Sequence, residues 1–184
     1  MLVLVPEKTS PQVKDKKDEN ECLDAHYEYL GILSELEPEH IRIYTDGSHC
    51  PETKKTGYGV KIVSHSMGHE KVIHEVSKGL GESTINEAEL AAVYESLKWL
   101  IRQSESNVSY VPVHIFTDSK YTYNACTSVS IRRKNFQWVQ EIQNFGHRLK
   151  SLCNMPHPCM HYVPSHIEHT AQGSDPLETS TLTD

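Results

Sequence analysis

Three acidic residues stand where a strand should end or a helix begin: Asp46 in IRIYTDGS (41–48), Glu89 in TINEAELAAV (84–93) and Asp118 in VHIFTDSKY (113–121). Carboxylates that converge from separate elements repel one another and tend to persist where divalent cations neutralise them. The chemistry such a group serves is metal-assisted phosphoryl transfer. Each acid also has a plainer reading. Asp46 before Gly47-Ser48 could form an Asx turn, Asp118 could cap the helix that follows, and Glu89 could join Glu87 as a first-turn acid that complements the helix dipole. Glu87 and Glu89 lie about 200° apart around a helix, so only one of them faces a shared cluster comfortably.

The elements that must position these acids can be read from the apolar pattern. IRIYT (41–45), GYGVKIV (57–63) and KVIHEVSKG (71–79) are three extended runs in succession, an antiparallel meander. Residues 86–103 place Ala88, Ala91, Ala92, Leu97, Leu100 and Ile101 on one helical face, with Thr84 or Asn86 available as N-cap. VPVHIFT (111–117) has the composition of a buried strand. SKYTYNACT (119–127) reads as a short helix, 135–152 as a longer amphipathic one, 159–165 as a last strand, and 175–182 as a final helix. The order predicts an α/β domain with a five-stranded mixed sheet flanked by helices. Residues 1–25 show no sustained apolar period, and 26–37 have helical spacing ended by Pro38. The division expected is therefore an acidic tail or linker with a short helix over 1–40 and a folded domain over 41–184.

The 184 residues fit one domain with a core of useful size. The formal charge of −7 is uneven: residues 1–40 hold four Lys/Arg against ten Asp/Glu, leaving fourteen against fifteen in the rest. A nearly neutral body permits nucleic-acid binding without advertising it. No apolar run approaches the roughly 20 residues of a membrane span, and MLVLV is too short for a signal-peptide core. Five irregularly spaced cysteines fit reduced thiols, so an intracellular setting, cytoplasmic or nuclear, is expected. Cys153, His157, Cys159 and His161 form a C-x3-H-x-C-x-H cluster too tight for most tetrahedral zinc sites, and no zinc is expected from it.

YTDGS, the N-x-A-E-L that opens the long helix, the FTDSKY junction, and a late VPSH followed by SDPL together resemble a type 1 ribonuclease H domain. HIRIYTDGS and YVPSH are similar to the ribonuclease H segments of retroelement reverse-transcriptase polyproteins. The match runs from 41 to about 180 and rests on four motifs in order. The resemblance implies a ribonuclease H-like fold and hydrolysis of the RNA strand of RNA/DNA hybrids, leaving a 3′-hydroxyl and a 5′-phosphate. It makes Asp46, Glu89 and Asp118 metal ligands, the A-E-L register choosing Glu89 over Glu87. The metal implied is Mg²⁺, with Mn²⁺ as a substitute, in a pair about 4 Å apart. His166 matches the loop histidine that moves protons or helps product leave. Asp175 matches the fourth carboxylate, with Glu178 as the alternative, because the segment after His166 departs from the family pattern by a deletion and a replaced G-N-E. Ser48, Thr84 and Asn86 match positions along the minor groove, where 2′-hydroxyls mark the RNA strand. Arg132-Arg133-Lys134 stands where relatives carry a longer basic protrusion. Two other readings stand beside it: a non-catalytic nucleic-acid-binding relic, which the altered tail after His166 supports, and, from another class, a structural or connection-type domain that docks protein partners in a larger polymerase assembly.

Overall fold

The structure is a computed structural model that describes residues 5–6, 19–104, 111–128, 135–153 and 157–164. His166, Asp175, Glu178, the basic triplet 132–134 and the helix expected over 175–182 lie outside the described residues. The elements are β1 (Val5–Pro6), α1 (Glu19–Glu35), β2 (His40–Cys50), β3 (Lys55–Ser66), β4 (His69–Glu82), α2 (Ile85–Ser104), β5 (Val113–Thr117), α3 (Lys120–Thr127), α4 (Phe136–Cys153) and β6 (Cys159–Tyr162).

The five expected strands form one mixed sheet, and the two-residue β1 adds a sixth at its edge, giving the order β1-β6-β5-β2-β3-β4. β2, β3 and β4 are the antiparallel meander. Their strands run longer than the alternating motifs because a two-residue turn, Met67-Gly68, closes the β3–β4 hairpin tightly. Both turn residues have positive φ, 52° and 76°, the handedness that matches strand twist. β5 then returns parallel to β2 after the α2 crossover, and β6 lies parallel to β5.

Alternation along each strand decides which side each residue serves. Ile41 and Ile43, Tyr58, Val60 and Ile62, Val113 and Ile115, and Met160 meet Leu90, Val93, Leu97 and Leu100 of α2 and Val139, Ile142 and Leu149 of α4 in the main core. On the other face Phe116 and Val163 are buried with Ala25 of α1, and Tyr29, Ile32, Leu33, Leu36 and Tyr44 pack against them. The helix expected within 26–37 thus starts seven residues earlier, at Glu19, and lies on the sheet. Its apolar stripe is weak in sequence because a single underside cluster, rather than a broad core, receives it.

Candidate active site

β2 and β5 run side by side in parallel, and their last paired residues are Thr45 and Thr117. Asp46 and Asp118 are the next residues along, so the register itself sets the two acids next to each other at the carboxyl end of β5, partway along the longer β2. Ligand sites of open α/β sheets characteristically lie at such strand ends. Asp46 sits in continuous strand, paired with Gly59, which removes the Asx-turn reading. Asp118 is not the cap of α3. That role belongs to Ser119, whose side chain accepts from the Thr122 N–H at 3.1 Å, while the Ser119 N–H donates to Thr117 Oγ1 at 3.1 Å. Thr45 Oγ1 donates to the Phe116 carbonyl at 3.1 Å, tying the two strand ends together.

The third acid comes from α2, and the two glutamates of its first turns divide the work. Thr84 is the N-cap in a reciprocal capping box: its hydroxyl accepts from the Glu87 N–H at 3.3 Å, and Glu87 Oε2 accepts from the Thr84 N–H at 2.9 Å. Ser83 Oγ donates to the same carboxylate at 2.6 Å. Glu87 is thereby committed to the helix end, and Glu89 turns toward the sheet, where it is only 6% exposed.

Gly47 is what lets it arrive. A Cβ at Gly47 would stand 2.9 Å from Glu89 Cδ and Oε1, so the glutamate carboxyl occupies the space a side chain would need. The Gly47 N–H hydrogen-bonds to Glu89. The glycine also solves a parity problem, since Asp46 points to the opposite side of β2 from α2, and Glu89 must cross the strand to reach it. The sequence pattern identified Gly47 as part of YTDGS but not as a gap filled by Glu89. The capping-box spacing T-x-x-E at 84–87 was the signal that could have assigned Glu87.

Asp46, Glu89 and Asp118 each place a carboxylate oxygen within 4.8 Å of the others. Burial first, then the charges of Asp118 and Asp46, pushes the Glu89 pKa up to about 8, against the Gly47 hydrogen bond that lowers it. Glu89 Oε2 is buried with no hydrogen-bond partner among the described residues. An orphaned buried oxygen beside two further carboxylates is an all-oxygen donor set suited to a hard divalent cation. The Asp46 carboxylate is exposed and that of Asp118 half-buried, which leaves the cluster open to solvent on one side.

The positions expected to read substrate lead away from this cluster. Ser48 is exposed two residues beyond Asp46 on the same side of β2, its Oγ donating to the Gly57 carbonyl at 3.2 Å. Thr84 is exposed at the N-cap of α2, and Asn86 is half-buried in the first turn. Tyr162, in register with Thr117, borders the site without having been expected there. Its pKa is raised by burial, then by Asp118 and Glu28.

Strand register, crossover and acid cluster coincide with a match of the RNase H family profile to residues 38–177. The chain belongs to the ribonuclease H family. A ribonuclease H of Actinobacillus pleuropneumoniae serotype 5b (strain L20) is 32% identical over 136 residues, an alignment covering 62% of this chain and 85% of that one. Among solved structures, LC11-RNase H1 in complex with an RNA/DNA hybrid superposes with a TM-score of 0.56 at 22% identity, covering 72% of this chain and 89% of that chain. The prototype foamy virus protease-reverse transcriptase gives a TM-score of 0.52 at 23% identity over 76% of this chain and 19% of the viral one. At those identities the two structures speak for the fold, the ribonuclease H-like mixed sheet. As a ribonuclease H, the chain is placed by family among the enzymes that hydrolyse nucleic acid in RNA/DNA hybrids.

Proposed function

We propose that this ribonuclease H is a divalent-metal-dependent endonuclease that cuts the RNA strand of RNA/DNA hybrids. The observation that carries the reading is the convergence of Asp46, Glu89 and Asp118, with a buried Glu89 oxygen that has no hydrogen-bond partner among the described residues. Asp46, Glu89 and Asp118 would hold Mg²⁺, with Asp175 as the fourth carboxylate by sequence pattern. Bound metal would supply the positive charge that activates a water nucleophile and offsets charge on the leaving oxygen. The chain's own contribution is positioning. The Thr45–Thr117 register fixes the aspartates, Gly47 admits Glu89, and the capping box at Thr84 sets the rotation of α2 that aims it. His166 would carry a proton at the departing phosphate. Ser48, Thr84 and Asn86 extend from the cluster as donors and acceptors for the 2′-hydroxyls of the RNA strand. We place the chain in an intracellular setting and, from its retroelement-like motifs, within a reverse-transcriptase polyprotein. No described helix is long and apolar enough to cross a membrane.

The test is cleavage of a labelled RNA/DNA hybrid in Mg²⁺ and in Mn²⁺, with duplex DNA and duplex RNA as controls. Cutting confined to the RNA of the hybrid and abolished by EDTA supports the reading. Hybrid binding with no cleavage in either metal replaces it with the non-catalytic relic, which the altered segment after His166 favours.

A further inference from the structure

Cys159 and His161, two members of the cluster whose spacing argued against zinc, find a third partner that spacing alone does not reveal. They are two residues apart on β6 and share the α1-facing side of the sheet. On β5 His114 lies beside Cys159, and Phe116 beside His161, in the parallel register. His114 Nδ1 is 2.9 Å from His161 Nε2, and one ligand atom from each of His114, Cys159 and His161 lies within 4.8 Å of the others. We propose that His114, Cys159 and His161 form a second metal site, selective for Zn²⁺, that joins β5 to β6 and is separate from the acid cluster.

Glu37 prepares the site. Its Oε2 is 2.9 Å from His114 Nε2. A carboxylate only accepts, so Nε2 carries the proton, and in the neutral ring the Nδ1 lone pair turns inward to His161 and the thiol. A carboxylate on the far nitrogen of a ligating histidine is the usual outer partner of a zinc imidazole. The 2.9 Å between the two histidine nitrogens is near the separation two ligands of one tetrahedral zinc adopt, about 3.3 Å for Zn–N bonds of about 2.05 Å. The ion would take the place of the proton that now bridges the two rings, and that proton moves to His161 Nδ1, which leaves the Nε2 lone pair free to ligate. Charge also balances: one thiolate and the Glu37 carboxylate offset a dication, in a neighbourhood that otherwise holds His40, His65 and Arg42. Cys159 loses its thiol proton on binding, and a water fills the fourth position. Thiolate with imidazole selects zinc over magnesium, the reverse of the all-carboxylate cluster. Phe116 stands between His114 and Asp118 on the same side of β5 and stacks on His161 with ring centroids 4.7 Å apart, which keeps the two ligand groups distinct.

The experiment is a Co²⁺ titration of the untagged full chain in a non-thiol reductant, followed by displacement with Zn²⁺ and metal analysis. In a large excess of Mg²⁺, which occupies the acid cluster, one Co²⁺ per chain is expected, with a thiolate-to-cobalt charge-transfer band. Cys159→Ser should remove the band. Cys50→Ser, at an exposed thiol, should leave it, and Glu37→Gln should weaken Zn²⁺ binding about 10–100-fold. A chain that shows no such band, or whose band survives Cys159→Ser or vanishes in Cys50→Ser, overturns the site. Should Cys159→Ser fail to fold, Glu37→Gln decides, since affinity equal to the unaltered chain's overturns it. These readouts do not involve cleavage, so they stand or fall apart from the nuclease reading.

Discussion

At the scale of single residues, the acid cluster is a balance between repulsion and metal demand. Asp46→Asn removes one charge and keeps the shape, so cleavage should fall by orders of magnitude while the fold survives. Unchanged turnover in the purified variant would remove Asp46 from the site. Glu89→Gln should abolish cleavage and Glu87→Gln should preserve most of it, because the latter carboxylate is held at Thr84. Gly47→Ala tests the gap, since its Cβ would meet the Glu89 carboxyl at 2.9 Å. Moving a ligand by an ångström at a reacting centre costs about 100-fold in rate, which steady-state kinetics would register with the thermal transition little changed. The raised Glu89 pKa carries a sign for the metal-free protein. The folded state favours the protonated acid, so the associated stability is fully present below the ordinary carboxylate pKa and is lost as pH rises through about 8. In EDTA the unfolding midpoint should fall over that window, and Glu89→Gln should flatten the slope. A slope unchanged by the substitution would assign it to other groups.

At the scale of elements, α2 and α1 have different tasks. Thr84→Ala removes the N-cap of α2 and should cost about 0.5–2 kcal/mol by denaturant unfolding. Because the cap also sets how α2 presents Glu89, the variant should lose cleavage beyond what its stability loss explains. Full activity in the folded fraction would separate cap from site. α1 covers Phe116 and Val163 and meets Tyr44 through a Tyr29–Tyr44 hydroxyl contact of 2.6 Å. Deleting residues 1–35 therefore exposes an apolar face and should lower the melting temperature, whereas a detached tail would leave it unchanged.

At the scale of the whole molecule, charge decides how the protein meets a polyanion. Between residues 19 and 39 the chain holds acids and no Lys or Arg, so the acidic excess of the first forty residues sits on and just after α1. Hybrid affinity should be weak and should fall with added salt as fewer counterions are released. Neutralising exposed acids, as in Asp24→Asn with Glu35→Gln, should raise affinity without removing the α1 packing. Tight, salt-insensitive binding, or no gain on neutralisation, would contradict this.

Local pattern was enough for the described strands from β2 to β6 and for singling out three acids that the fold brings together. The meander, the long helix and the strand-to-helix junction each carry a period or a turn signal within a dozen residues, and TDGS, A-E-L and FTDS mark the acids by their neighbours. The length of α1 was not legible, because its few contacts with the sheet leave only a faint stripe. Nor could the sequence show that Gly47 is a space for Glu89, since that depends on α2 lying across β2. The pairing of His114 with Cys159 and His161 was hidden for a similar reason. Forty-five residues separate His114 from Cys159, and only the parallel register of β5 and β6 brings them together. Sequence determines what each segment is able to form and which side chains carry chemistry. Tertiary structure decides which of them share a face, because strand register and helix crossing are set by burial of the whole core.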